Sequence, residues 1–543
     1  MKKILLTILT LMLLIPFAIN AEELKLDWQK TWGGSSGDEF YDILQTQDEE
    51  FVIAGYTKST DVEGVLNNGR IDALIIKYDK VGNLVWQKSW GGNNNDYFYD
   101  ILQTQDGGFI GTGYSESTDI EEITNKGRSD AIIVKYDKDG NMLWQKNWGG
   151  NSYDYFYDMI QTQDEGIIGV GFSYSSNIEG ISNNGASDAV IVKYDKEGNL
   201  LWQKNWGGED TDEFYDVLLT QDGGFIVAGY SASTDIEGLQ INGYDDAVIV
   251  KYDKEGNMLW QKSWGGEDAD YFNHMFQTQD GGFIVTADSD STDIEGIENK
   301  GYEDAIIIKY DKDGNMLWQK SWGGNDTDYF NNIVQTKDGG FIGLGYSDST
   351  NVDGFQNKGN SDAIIVKYDK DGNMLWQKSL GGNYDEEFYG IVQTQDGGFV
   401  GIGYSESTNI EGLINKGSSD AIIVKCSFEY DYEVLEVENG TSVIEQQGPK
   451  GIITTNPNTG YEVDKILIKD KEGNILDVEI TKLENETYSF DLYTDVSVKV
   501  IYKEKIENPK TGIIDFVSIL FTGIIISLGG FVLVKRSNER YEI

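Results

Sequence analysis

The stretch Trp144-Gln-Lys-Asn-Trp148-Gly-Gly decides how this chain is read, because it returns along the sequence at a fixed interval. Its first Trp recurs at Trp28, Trp86, Trp144, Trp202, Trp260, Trp318 and Trp376, a spacing of 58 residues between successive copies. The second Trp follows four residues later in six copies, and Leu380 takes its place in the seventh. These positions account for all 13 Trp of the 543-residue chain. A period of this size is the mark of a repeat architecture. It argues for a scaffold with a recurring surface more than for one unique catalytic pocket.

Outward from Trp148 the third unit continues through Asp154-Tyr-Phe-Tyr-Asp158-Met-Ile-Gln-Thr-Gln-Asp and an apolar, Gly-bearing run from Ile167 to Ser173. A polar loop, Asn177–Ser187, leads to Asp188-Ala-Val-Ile-Val-Lys-Tyr-Asp, and a turn at Gly198-Asn199 leads to the next Trp. Each unit therefore offers four short segments rich in β-branched and aromatic residues and bounded by Gly, Asn or Asp, which read as strands. No segment between the termini sustains a 3.6-residue apolar period, so no helices are expected there. Four strands per unit and seven units predict an all-β chain folded as a seven-bladed β-propeller over residues 22–428. The paired Trp fall on one face of a strand and are expected to fill the space between blades. Gly111 and Gly113 predict a second strand packed too closely for side chains. The last unit ends at Asp420-Ala-Ile-Ile-Val-Lys-Cys426 without its Trp strand, and an orphan Trp strand stands at Leu24–Trp32. The N-terminal strand is expected to complete the last blade and so remove two free sheet edges.

These motifs resemble the repeats of bacterial secreted β-propeller proteins. The resemblance rests on Trp-Gln-Lys-x-Trp-Gly-Gly, Gln-Thr-x-Asp-Gly-Gly-Phe-Ile, Gly-Tyr-Ser-x-Ser-Thr and Asp-Ala-Ile-Ile-Val-Lys-Tyr-Asp. It implies the strand order of WD-repeat blades and the same closure, and it names no function.

The ends of the chain carry other signals. Lys2 and Lys3 precede an apolar run from Ile4 to Ile19, and Ala21 offers a cleavage point, so residues 1–21 read as a secretory signal. A second apolar run, Ile513–Val534, is long enough to cross a bilayer, and Lys535, Arg536 and Arg540 place its end in the cytoplasm. Ahead of it stands Asn508-Pro509-Lys510-Thr511-Gly512. Pentapeptide, span and basic tail over residues 506–543 resemble a sortase cell-wall sorting signal. That implies joining of Thr511 to peptidoglycan after cleavage before Gly512, with Asn508 standing where the family carries Leu. The alternative is a retained membrane anchor. Either way the expected place is the outer surface of a Gram-positive-type cell. Between propeller and anchor, residues 429–505 alternate apolar and polar from Tyr461 to Lys469 and turn at Glu472–Asn474. This resembles the divergent internalin-type B-repeat and is expected to be a small β stalk.

A formal net charge of −49 opposes nucleic-acid and anionic-lipid partners. The single cysteine, Cys426, permits no intrachain disulfide and reads as a strand residue. The turns such as Asp137-Lys-Asp139-Gly-Asn141 alternate oxygen ligands, but their spacing does not match a calcium loop. They read as hairpin turns. Gly207–Asp212 is the better calcium candidate, yet its acids change between copies. No metal or other cofactor is therefore expected. The recurring Asp38, Asp96, Asp154, Asp212, Asp270 and Asp328, with Glu386, read as loop caps.

Successive turns must alternate between the faces of the disc. One face is expected to carry two tight turns per blade, the other two longer loops, such as 149–155 and 115–129, where recognition is expected. Copy five departs from its siblings. His274 stands where Asp42, Asp100, Asp158 and Asp216 stand, followed by Asn332 and Gly390. Asn273 and Asn331 replace tyrosines, and Ala287-Asp288 replaces Gly-Tyr. His274, Asp288, Asn331 and Asn332 are thus candidates for one asymmetric ligand site. Catalysis is not expected. One histidine disfavours a Ser-His-Asp arrangement. The propeller's two arginines, Arg70 and Arg128, are too few for a sialidase, and the Gly140-to-Trp144 spacing is one residue longer than the sialidase box requires. The expectation is a monomeric, non-catalytic surface protein that binds an extracellular protein or glycan. A glycan- or wall-acting hydrolase and a ligand-free structural protein are the alternatives.

Overall fold

The computed structural model describes residues 23–435, 437–470 and 473–505. The signal segment and the whole of Asn508–Gly512 lie outside them. The described residues contain no helix, and among them no helix is long and apolar enough to cross a membrane.

The repeats fold as predicted into four-stranded antiparallel sheets. The first is Asp38–Gln45, Phe51–Thr57, Asp72–Tyr78 and Leu84–Trp90, paired in that order. Five sheets of the same order follow. A seventh has Glu386–Gln393, Phe399–Ser405 and Asp420–Glu429 from the C-terminal end and Glu23–Trp32 as its outer strand. Leu26 opposes Cys426 and Trp32 opposes Ala421 in that pairing. The innermost strands pack side by side, and Asp38–Gln45 touches Glu386–Gln393 as it touches Asp96–Gln103. Residues 23–429 therefore form a β-propeller.

The packing explains the sequence pattern. In six units the second Trp lies against a Phe of the following sheet, as Trp90 does against Phe98 with ring centroids 5.9 Å apart. Its indole N–H donates to a Gln on that sheet's outer strand: Trp90 to Gln145 at 2.7 Å, Trp206 to Gln261 at 2.9 Å. The first Trp is half-buried and lies over the next sheet's hairpin turn, so a Cβ on Gly140 would meet the Trp86 ring. Trp32, Phe40, Ile53, Leu74, Ile402 and Ile423 form one apolar cluster across the closing junction.

Each inner strand carries a β-bulge, between Phe98 and Asp100 in the second sheet. Opposite it a Cβ on Gly113 would overlap the Tyr97 carbonyl oxygen, and one on Gly111 would crowd the Phe98 ring. The glycines thus serve close approach, as the sequence implies.

Residues 430–505 form a separate module of two sheets, Tyr432–Val434 with Val496–Glu504 and Tyr461–Lys469, and Gly440–Gln447 with Lys450–Pro457, Thr487–Asp491 and Thr481–Lys482. It meets the propeller on the tight-turn face. Gln446 Nε2 donates to Phe428 O at 3.0 Å, and Pro449 lies beside the Gly397 turn.

Candidate functional site

The two faces of the disc use their polar groups differently. On the tight-turn face the turns consume their own carboxylates. Asp137 Oδ1 accepts from the backbone N–H of Asp139 and Asn141, and its Oδ2 from Asn141 Nδ2 at 2.9 Å. Nearby, the buried Lys135 ammonium pairs with Asp106 at 2.8 Å. Thr104 and Lys135 together hold the Asp106 carboxyl at about 2, against the upward push of burial.

On the long-loop face the recurring acids cap the loops. Asp96 accepts from the Ser115 and Ser117 hydroxyls and from Gly92 N, and Asp212 does the same with Ser231, Ser233 and Gly208 N. A second buried acid, Asp72 or Asp246, accepts from the backbone of the loop that leads into its own strand. Burial pushes Asp72, Asp212, Asp270 and Asp304 up to about 6.

Inside this loop rim the inner strands bring a run of tyrosines together around the axis. Tyr41 lies 5.4 Å from Tyr99 and 5.2 Å from Tyr389, ring centroid to centroid. Tyr99 lies 5.4 Å from Tyr157, and Tyr157 5.0 Å from Tyr215. The arc is interrupted at Asn273 and Asn331. Just outside it stand Tyr56, Tyr97 and Tyr114, with Glu39 accepting from the Tyr56 hydroxyl. Burial raises Glu213, in the same position as Glu39, to about 7.

One residue further along the inner strands the acids Asp42, Asp100, Asp158 and Asp216 follow one another round the axis. Each accepts from a backbone N–H of the next sheet, as Asp216 Oδ2 does from Met275 N at 2.9 Å. Burial and the neighbouring carboxylates raise Asp100 and Asp158, and burial takes Asp216 to about 7.

The sequence candidates occupy this region but not one pocket. His274 closes the acid arc, with Nε2 3.6 Å from Asp216 Oδ2 and Nδ1 buried without a partner. Burial lowers its pKa, opposed by the charges of Asp158 and Asp42. Asp288 is 2% exposed and accepts from Asn273 Nδ2 at 2.7 Å. Burial pushes it up to about 8. Asn331 Nδ2 donates to Phe388 O of the following sheet at 2.8 Å, and Asn332 Oδ1 accepts from Ile333 N. The four candidates thus face separate partners. Cys426 is a buried strand residue whose thiol burial raises to about 12. Among the described residues no group of three or more His, Cys, Asp or Glu is placed to hold a metal ion.

Sequence reasoning missed an aromatic cavity on this face. A cavity of about 750 Å³ lies between the second and third sheets, lined by Tyr153, Tyr155, Phe172 and Tyr174 with Arg128 and Glu116 at its edge. Its signal was an aromatic at Tyr174, where the other copies have Lys58, Glu116, Ala232, Asp290, Asp348 and Glu406.

Comparison with known proteins agrees with the repeat and adds no function. The family described as outer membrane protein assembly factor BamB matches residues 187–396, less than half of the chain. An uncharacterized WD repeat-containing protein of Acanthamoeba polyphaga mimivirus is 20% identical over 473 residues, 68% of this chain and 33% of its own. The protein named Regulatory protein FlaEY of Caulobacter vibrioides is 25% identical over 172 residues, 29% of this chain and 18% of its own. The chain thus spans a third or less of the length of these relatives. Among solved structures, a quinonprotein alcohol dehydrogenase-like protein of Bacteroides thetaiotaomicron aligns at 13% identity and TM-score 0.35, covering 63% of this chain and 66% of that one. An α-L-arabinanase of Penicillium chrysogenum aligns at 8% identity and TM-score 0.35, covering 75% of this chain and 98% of that one.

Proposed function

We propose that this chain is a non-catalytic extracellular recognition protein, a closed seven-bladed β-propeller that presents its long-loop face to a protein or glycan ligand. Its C-terminus, through Asn508–Gly512 or through the following apolar span, ties it to a Gram-positive-type cell surface, and residues 429–505 act as the stalk. The observation that carries the reading is the asymmetry of the disc. The stalk module meets the tight-turn face at Phe428 and Pro449, leaving the opposite face, with its tyrosine-lined axis and aromatic cavity, turned outward. Tyr supplies large, stiff contact area with a polar tip, which suits recognition of a wet surface.

The test is a binding screen of the purified chain on glycan and extracellular-protein arrays, with and without added calcium. Specific binding lost when long-loop residues are altered, and kept when tight-turn residues are altered, supports the reading. Binding through the tight turns refutes it. Turnover of an arrayed glycan moves the protein to the hydrolases, and silence from folded protein moves it to a structural role.

A further inference from the structure

We infer that the cavity between the second and third sheets is a carbohydrate subsite, in which the exposed Tyr174 ring stacks against the C–H face of a pyranose ring and Tyr153, nearly perpendicular to it, walls the sugar's edge. The inference rests on the reading of the long-loop face as the recognition surface and names its ligand class.

Geometry comes first. The backbone N–H of Tyr174 donates to Tyr153 O at 2.9 Å, which fixes the two residues side by side at the loop mouth. Their rings meet nearly at right angles, 81° with centroids 6.4 Å apart. Phe172 stands at 89° to Tyr174, 5.5 Å away, and forms the floor with Tyr155, 4.9 Å further in. Tyr155 is itself backed by Tyr114 in a parallel stack at 3.9 Å. The rings therefore line a short, stiff-walled cleft. Tyr174 is 39% exposed, so part of its surface faces solvent.

The edge of the cleft is polar and mixed. Arg128 Nη1 donates to the Tyr153 hydroxyl at 2.9 Å and lies over that ring. Glu116 is held by Asn95 Nδ2 at 2.7 Å, and Asn151 and Ser152 complete the rim. One cation, one anion and neutral amide and hydroxyl groups offer both donors and acceptors at little net charge. A sugar matches this set. Each ring has an apolar face of C–H bonds for an aromatic wall and hydroxyls that both donate and accept at its edge. The cavity volume falls within the roughly 300–1,000 Å³ usual for small-molecule sites. In a chain of net charge −49, a neutral ligand also escapes the repulsion that an acidic peptide meets.

The site belongs to one sector. An aromatic follows the second strand only in the third copy, and Tyr153 occupies a position held elsewhere by Gly37, Asn95, Thr211, Ala269, Thr327 and Asp385. The other copies are internal controls on a near-identical scaffold.

The test uses the full chain on an array of chito-, cello-, manno- and galacto-oligosaccharides, followed by calorimetric titration of the best-bound sugar. Tyr174→Glu, which installs the residue of the second and seventh copies, and Tyr153→Ala are each expected to weaken binding by about tenfold or more. Tyr174→Phe keeps the ring and is expected to keep binding. Tyr244→Ala, at a 77% exposed position on the same face, is expected to change nothing, and circular dichroism verifies folding of each variant. Sugar binding indifferent to Tyr174→Glu and Tyr153→Ala overturns this inference and leaves the recognition reading standing. Binding to proteins alone overturns the ligand class. Silence on both arrays overturns both.

Discussion

The indole nitrogen of Trp32 lies 2.8 Å from Gln87 Oε1, so the strand Glu23–Trp32 is hydrogen-bonded to the outer strand of the first repeat sheet. Trp32 belongs to the seventh sheet by pairing, opposite Ala421. One residue thus joins the two ends of the repeat array. Because folded domains are stable by only about 5–15 kcal/mol, removing this strand is expected to affect the whole ring. Deletion of Glu23–Trp32 should lower the melting temperature of the entire propeller in one cooperative step. A melt in which only the seventh sheet is lost, with the other sheets unshifted, would show that closure is not shared. The milder Trp32→Phe removes one hydrogen bond and is expected to cost about 1 kcal/mol, read by urea titration.

The seventh copy breaks the same pattern. Leu380 stands where a Trp would reach the following sheet's Gln, and that Gln, Gln29, donates to the Glu411 carbonyl. Leu380 is only partly buried and pairs with Ala363 as its Trp counterparts pair with theirs. Leu380→Trp should therefore restore the aromatic contact with Phe388 and stabilise the protein by about 1 kcal/mol. An unchanged or lowered urea midpoint would mean that this junction has relaxed around Leu and no longer has room for an indole.

Acid–base behaviour falls into two windows. Asp288, Glu213 and Asp216 are raised by burial to about 8, 7 and 7, and Asp72, Asp212, Asp270 and Asp304 to about 6. A carboxyl whose pKa is higher folded than unfolded binds more protons when folded. Its contribution is complete below the unfolded value near 4 and is lost as pH rises through the folded value. Stability is therefore expected to fall from about pH 4 to pH 8. Asp106, Asp164 and Asp222, held at about 2 chiefly by Thr and Lys partners against burial, act in the opposite sense and lose their contribution as pH drops from about 4 towards 2. Asp288→Asn retains an oxygen to accept from Asn273 and removes the titration, so the variant should gain on wild type as pH rises from about 4 to 8. Parallel melting curves for the two proteins from pH 5 to 8 would rule out Asp288 as a source of the slope.

Much of this architecture is legible in the sequence because its causes are local and repeated. Trp at a fixed period marks the inter-sheet seams, Asp137 and Asn141 mark a turn whose hydrogen bonds lie within five residues, and the unpaired Leu24–Trp32 strand announces the closure. The candidate site was less legible. His274 and Asp288 differ from the consensus, yet each answers to a neighbour that appears only after folding, Asp216 and Asn273. The aromatic cavity was hidden for the opposite reason. In a chain with 32 Tyr, one more at Tyr174 attracts no notice until the strands between it and Tyr153 are paired.

Two glycines of the second sheet separate two kinds of backbone constraint. At Gly113 the obstacle is contact, since a Cβ would overlap the Tyr97 carbonyl at the bulge of the inner strand. At Gly107 the obstacle is conformation alone, a φ of 81° in a turn with nothing within 4 Å of the added carbon. Gly107→Ala is expected to cost about 1–2 kcal/mol, the penalty of placing an L-residue in the left-handed region. Gly113→Ala should cost more, about 3 kcal/mol or above, because the ladder must shift at a buried junction where packing is close. Urea unfolding of the two variants side by side gives the order directly. If Gly113→Ala proves the milder change, the bulge is free to move, and the close approach of the two inner strands is not what holds the tyrosines of the axis in place.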